Sequence, residues 1–444
     1  MPEADDIEAA NPAHALETRR GRTLIRAAAV IDAAGVDAVP GVLLVDDGRL
    51  VAAGPPASVG TLADARVVEW PDALLTPGLV NAHAHLDLSH LPCTPFDGDF
   101  ARWIDGVRRG RHQRAEAIAA SVTDGVRLAR RGGTAFIGDV AGAGQAAAVT
   151  ALQRSGLGGV SFVELFGVGE RQAAAIARMQ ELAAAVPPVA GGVRLGFQPH
   201  APYSCGPDLY RAAAATGRPV STHLAETPEE IEVLSGGGGP LEAFLRGIGV
   251  WDPVVGVVGR HPIDAVLAWM AGVPLLAAHV NEIRPEHLAR LAAANVTVAY
   301  CPRASVYFGH PRPGHRPHAY AAMRAAGVNV ALGTDGRPCL DTPERISVLD
   351  EMRLLRRRDD ANPRDLLAMA TVAGARGLGL PVDRVTLTPA DGRGAGVLRF
   401  TIDPSADLDP LAQVLHGDEG PQWVLSAGAG TGTGVTEAAG ETGG

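Results

Sequence analysis

Along the chain, the spacing of apolar positions changes twice. From Thr23 to Val68 they form short runs broken by glycine turns, TLIRAAAVID, GVLLVDDGRLVAAG and ARVVEW, with the alternation or brevity of strands. From Leu74 to about Leu378 apolar runs are separated by longer alanine-rich stretches. Two of these, RQAAAIARMQELAAAV and RPEHLARLAAA, carry helical periodicity. Beyond that zone GVLRFTI and PQWVLSAG return to short strands, and the closing AGAGTGTGVTEAAGETGG has almost no large apolar residue, which predicts a disordered tail.

The middle zone holds eight strand candidates: LLTPGLVNAHAHL, TAFIGDVAG, GVSFVELFG, VRLGFQPHAP, RPVSTHLAE, PLLAAHVNE, NVTVAYCPRAS and NVALGTDGRP. Strands alternating with helices predict an α/β chain, and eight such units predict a (β/α)8 TIM barrel. Each run starts apolar and ends in polar or titratable side chains, as an active site at the C-terminal face of a barrel requires. An open doubly wound sheet is the alternative, but it does not by itself call for polar residues at every strand end. The strands at either end of the chain are too few for a stable sheet of their own, so they are expected to pair into one small β-sandwich domain. The expected organisation is residues 20–72 and 379–427 for the two parts of that domain, 73–378 for the barrel, and 428–444 for the tail.

A chain of 444 residues accommodates a barrel and a companion domain. Its formal charge is -10, and its 39 basic residues, all arginine, are scattered, which leaves no footprint for a phosphate backbone and argues against a nucleic-acid partner. Cys93, Cys205, Cys301 and Cys339 are far apart and form no C-x-x-C pair, a pattern of reduced thiols in a cytoplasmic protein. Met1 to His14 lacks the basic and apolar regions of a signal peptide. No apolar run reaches the roughly 18 to 20 residues that span a bilayer, so no membrane partner is expected. A homodimer is a common state for soluble enzymes of this size.

His83 and His85 stand two apart at the end of the first run, so their side chains share a face, and two imidazoles on one face can share a metal. An H-x-H pair alone is a weak signal. It gains weight from His223 in THLAE, His279 in AAHVNE and Asp335 in LGTDG, at the ends of the fifth, sixth and eighth runs. Singly each reads as a plain polar loop residue; together, on separate strands of one barrel, they converge on a small volume at its top.

LLTPGLVNAHAHLDLSHL, GFQPHAPYS, STHLAETPEE, AAHVNEI and VALGTDG, in that order, resemble the amidohydrolase superfamily, in particular its branch of adenosine-derivative, guanine and cytosine deaminases and triazine hydrolases. The resemblance spans roughly Thr23 to Ala427. It implies metal ligands at His83, His85, His223 and Asp335 and catalytic roles for Glu226 and His279. The residue types suit that chemistry: three neutral imidazoles and a carboxylate leave an open position, where a divalent metal lowers the pKa of bound water to about 7. The nucleophile is then a hydroxide. Asp335 takes the water's proton, and His279 orients the hydroxide and stabilises the oxyanion. Such a site suits one zinc ion, with iron or manganese as alternatives.

Glu226, three residues after His223, can protonate a ring nitrogen and then the leaving group; its plainer reading is a helix-start acid beside Thr227, Glu229 and Glu230. Binuclear relatives bridge two metals with a carboxylated lysine, which this chain lacks; Glu164 in FVELFG is a possible bridge, with a structural role preferred. His200 matches a family position that contacts substrate. Asp87 continues the face of His83 and His85 and is placed to orient one of them. Trp103 is read as a pocket wall, or as helix core. Arg303 in CPRAS is read as an anchor for an acidic substrate group, or as a solvated arginine. His310, His315 and His318 lie in a Pro/Gly-rich stretch that reads as a lid or surface loop.

Two segments depart from the family pattern. Many members have C-P-x-S-N where this chain has Cys301, Pro302, Arg303, Ala304 and Ser305, and Gly336 replaces a serine often found after the aspartate. The expected function is metal-dependent deamination of an amino-substituted N-heterocycle of purine, pyrimidine, pterin or triazine type. The alternatives are hydrolysis of another C–N or C–Cl bond at the same site, and a non-catalytic barrel scaffold, which loss of ligands would mark.

Overall fold

The computed structural model describes residues 21–60, 64–186, 192–256, 258–270 and 272–426. The Met1 to His14 stretch and the tail at 428–444 lie outside the described residues.

The N-terminal runs form β1 (Arg22–Ile31), β2 (Asp37–Ala38), β3 (Gly41–Asp46), β4 (Arg49–Gly54) and β5 (Arg66–Pro77). Eight barrel strands follow: β6 (Leu79–His85), β7 (Thr134–Ala141), β8 (Gly158–Leu165), β9 (Val193–Pro199), β10 (Ser221–Leu224), β11 (Leu275–His279), β12 (Val296–Tyr300) and β13 (Asn329–Leu332). The two-residue β14 (Asp335–Gly336) extends the last of them, and β15 (Val397–Thr401) and β16 (Gln422–Leu425) return to the first sheet.

Strands from before and after the barrel region meet in that sheet. β15 runs antiparallel to β5, with Phe400 opposite Leu74, and among the described residues the order β16-β15-β5-β1-β3-β4 forms one hydrogen-bonded path, with β2 beside β1. Alternation along these strands dresses the two faces differently. Ile25, Leu43, Val45, Leu75 and Val397 build a core within the sheet domain, whereas Ile31, Leu74, Leu398 and Phe400 join the main core of the barrel. Burial of both faces fastens the sheet to the barrel. β5 stays in this sheet to Pro77, beyond the expected boundary at 72, so the LLTP of the first candidate run belongs to the sheet.

The barrel strands are parallel. The ring closes through a bridge between Phe197 and Val220 on one side and the pairing of Asp335 with Ala84 on the other. Val80, Ala135, Phe162, Leu276, Ala299 and Ala331, from six strands, pack with the helix Val372–Gly377 into one apolar cluster. The helical readings are found at Arg171–Ala185 and Pro285–Ala293. The four cysteines are free thiols, three buried and Cys93 exposed. Among the described residues no helix is long and apolar enough to cross a membrane.

Candidate active site

Backbone bonds between neighbouring strand ends bring the predicted residues together. His223 N donates to His200 O at 2.8 Å, Val280 N to Leu224 O at 3.0 Å, and Thr334 N to His83 O at 2.9 Å. The β6–β7 ladder slips between Asn81 and Ala84, within the histidine motif. At Gly333 an added Cβ would lie 2.7 Å from His83 Cβ, so the close approach of the eighth strand to the first requires glycine. Ala225, His279, Val280 and Asp335 all have positive φ, between 48° and 70°. Non-glycine residues in this region cost roughly 1–3 kcal/mol each, and here they cluster where three strands turn out over the site.

His83, His85, His223, His279 and Asp335 are all buried. His223 Nε2 lies 3.3 Å from His85 Nε2, and Asp335 Oδ1 lies 3.4 Å from His85 Nε2 and 3.8 Å from His83 Nε2. The His279 ring is 5.3 Å from that of His83 and 5.4 Å from that of His223. Burial pushes His83 down to about 3 and holds His85, His223 and His279 well below the usual imidazole value, so all four are neutral at pH 7. His83 Nε2 and His85 Nδ1 have no hydrogen-bond partner. Neutral imidazoles whose nitrogens face one another, with buried lone pairs unmet, fit a divalent cation. His83, His85 and His223 hold ligand atoms within 4.8 Å of one another, as do His83, His279 and Asp335. Burial raises the Asp335 carboxyl to about 6.

Glu226 lines the same cavity. Its Oε1 lies 3.6 Å from His279 Nε2. Burial, then Asp335 and its neighbouring glutamates, push its carboxyl well above the usual range. The helix that follows begins at Pro228 with Thr227 as N-cap and Glu229 and Glu230 in its first turn, so Glu226 precedes the cap instead of serving the helix. Glu230 takes the structural part: its two carboxylate oxygens accept from Ala225 N and Glu226 N at 2.9 Å each. Asn281 Nδ2 donates to Glu226 O at 3.0 Å.

The cavity over this floor has a volume of about 380 Å³. His200 lines it, with Nδ1 2.7 Å from Ser204 Oγ. Trp103, on the helix Phe100–Gly110, also lines it and is held by its indole N–H to Tyr307 Oη at 3.1 Å. Phe100, Val107, Phe166, Phe244 and Ile248 make the rest of the outer wall largely apolar.

Arg303 is a correction. It does not line the cavity; its Nε donates to Glu351 Oε1 at 2.6 Å and its Nη1 to Asp341 and Thr342. A guanidinium with its side chain only 10% exposed, engaged by a fully buried carboxylate, is a structural pair tying Pro302–Tyr307 to Val348–Asp359. Asp87 faces Arg111 at 3.4 Å. The histidine-rich loop divides. His315 is exposed and pairs with Glu282 at 3.0 Å, whereas His318 Nε2 donates to His279 O at 2.9 Å and its Nδ1 accepts from Tyr320 N. His318 therefore braces the strained turn of a site residue, a role that its irregular spacing did not signal. Arg111, Asn281 and Glu230 were likewise not singled out by any motif.

The amidohydrolase family model matches residues 74–386. The chain is similar to an aminodeoxyfutalosine deaminase of Deinococcus radiodurans, 31% identical over 369 residues, covering 77% of this chain and 82% of that one. It is also similar to a 5-methylthioadenosine/S-adenosylhomocysteine deaminase of Moorella thermoacetica, 29% identical over 83% of each chain. Among solved structures, an adenosine deaminase of Xanthomonas campestris with bound zinc shares the fold, with a TM-score of 0.68 and 22% identity over 90% of each chain.

Proposed function

The chain belongs to the amidohydrolase family, and from that premise we propose that it is a metal-dependent aminohydrolase, which deaminates an amino-substituted N-heterocycle with release of ammonia. The observation that carries this reading is the meeting, on one cavity floor, of a neutral imidazole cluster with Asp335 and a buried carboxyl at Glu226.

His83, His85, His223 and Asp335 would hold one divalent ion, with zinc our choice and iron or manganese the alternatives. Such an ion supplies Lewis acidity that brings water toward ionisation near neutral pH. The chain's own groups do the remainder. Asp335 receives a proton from the attacking water, and His279 orients the attacking oxygen. Glu226, whose burial favours the protonated form, donates to a ring nitrogen as the ring carbon accepts the oxygen; the proton held by Asp335 then passes to the amino group, which departs as ammonia, and the new hydroxyl returns its proton to Glu226. His200 and Trp103 contact the ring and its substituent. The apolar outer wall and the names of the relatives favour a purine that carries an extended substituent over a bare pyrimidine, pterin or triazine.

The test is metal content per chain together with ammonia release across aminopurines, their nucleosides and 5'-modified derivatives, aminopyrimidines, pterins and triazines. We expect about one metal per chain and ammonia release that falls by about 10² to 10⁴-fold in Glu226→Gln while the metal remains. Bound metal without ammonia from any ring would move the reading to another hydrolysable bond. A wild-type chain that cannot be loaded with metal would sink it.

A further inference from the structure

A second group of ligand-type atoms adjoins the first. Glu164, His200 and His223 hold ligand atoms within 4.8 Å of one another, so with His223 shared the floor has side chains for two cations. In the second place a cation is already present. Arg111 Nη1 donates to Glu164 Oε2 at 2.9 Å, and its Nε faces Asp87 Oδ2 at 3.4 Å. Arg111 lines the same cavity as His85, His200 and His223. We propose that Arg111 is a resident cation that stands in place of a second metal ion and, by engaging Glu164, limits the site to one metal.

Asp87 and Glu164 are both buried, and carboxylates out of water require a positive partner. A guanidinium supplies one permanently. The oxygen of Glu164 not engaged by Arg111 faces His200 Nε2 at 3.9 Å, the gap in which a bridging cation would sit. An ion entering there would lie beside a like charge in a region of low dielectric, where repulsion over a few ångströms is strong. It would also have to share a carboxylate with the arginine.

The seat of the guanidinium is built. Arg111 caps the helix Phe100–Gly110, its N donating to Val107 O at 2.9 Å, so the side chain departs from a fixed point. Where it crosses Gly142, an added Cβ would collide with the guanidinium, so glycine leaves it room. With no lysine in the chain, Glu164 is the residue placed to bridge, and Arg111 takes it out of use.

This inference rests on the reading of the first group as a metal centre and is independent of which bond the enzyme breaks. The test loads the full chain with excess Zn²⁺, removes free ion, and counts metal per chain; a parallel Mn²⁺ loading looks for the spin coupling of a two-metal site. Wild type should hold one ion, Arg111→Met two with a coupled signal, and Arg111→Met combined with Glu164→Gln one again. Two ions in wild type, or one in Arg111→Met, would overturn the proposal. If Arg111→Met does not fold, Gly142→Ala pushes the guanidinium aside without deleting it; a gain of the second ion there supports the proposal and a count of one overturns it. No ion in wild type would instead be the failure of the metal reading.

Discussion

Two buried polar clusters lie just past the ends of barrel strands, and they differ in what their atoms lack. Around Arg303 opposite charges meet: the guanidinium and its own backbone N–H both reach Glu351, at 2.6 and 2.8 Å, with Asp341 and Thr342 beyond. Around His83 like groups meet, with neutral imidazoles edge to face and two ring nitrogens without partners. The first cluster is an attraction that helps fold the protein. The second includes two buried ring nitrogens that no protein group satisfies and stands on strained backbone, a combination that folding alone does not favour. Burial of charged and polar residues therefore does not mark a site by itself; unmet demand for a cation does.

The contrast breaks first at the ligands. His223→Ala or Asp335→Ala is expected to lose the metal and reduce kcat/KM by on the order of 10³-fold or more. The melting temperature of the metal-free protein should hold or rise, and a large fall in it would place these residues with the structural pair. Next, Glu226→Gln should lower kcat by about 10² to 10⁴-fold with full metal content; a variant that also lost the ion would make Glu226 a ligand instead of a proton donor.

The opposite pattern is expected at the structural pair. Glu351→Ala leaves Arg303 buried without its main partner and should cost about 3–5 kcal/mol of stability, with kcat per folded chain unchanged. Activity lost at normal stability would return Arg303 to the site. His318→Ala, which frees the His279 carbonyl, should slow turnover about tenfold without loss of metal; an unchanged kcat would show that the turn at His279 keeps its shape unaided.

The last test concerns acid stability and leaves turnover aside. Burial lowers His261 and His310 to about 4 and His318 to about 3, from 6.5. Between 6.5 and those values the unfolded chain takes up protons that the folded chain refuses. Their stabilisation is complete above pH 6.5 and is lost as pH falls toward 4, by up to about 1.4 kcal/mol per histidine per pH unit. Chemical denaturation across pH 7 to 4 of the metal-free protein, beside a variant with His261, His310 and His318 each changed to Gln, isolates it, and identical pH profiles would mean these rings are hydrated or protonated in the native state.

The sequence by itself determined the eight strands, their order, and the five residues His83, His85, His223, His279 and Asp335. The reason is geometric: in a repeating strand–helix chain every strand ends at the same face, so residues far apart in sequence can be placed by their position within a unit. Glu226, at a short offset from a strand end, reaches the same cavity for the same cause. Arginines were not. Arg303 and Arg111 each follow an identifiable element, but a side chain that long can reach partners on several others, and Glu351 lies 48 residues from Arg303 as Glu164 lies 53 from Arg111. Which carboxylate claimed which guanidinium, and hence which arginine faces the cavity, was decided only when the helices and loops had packed around the strands.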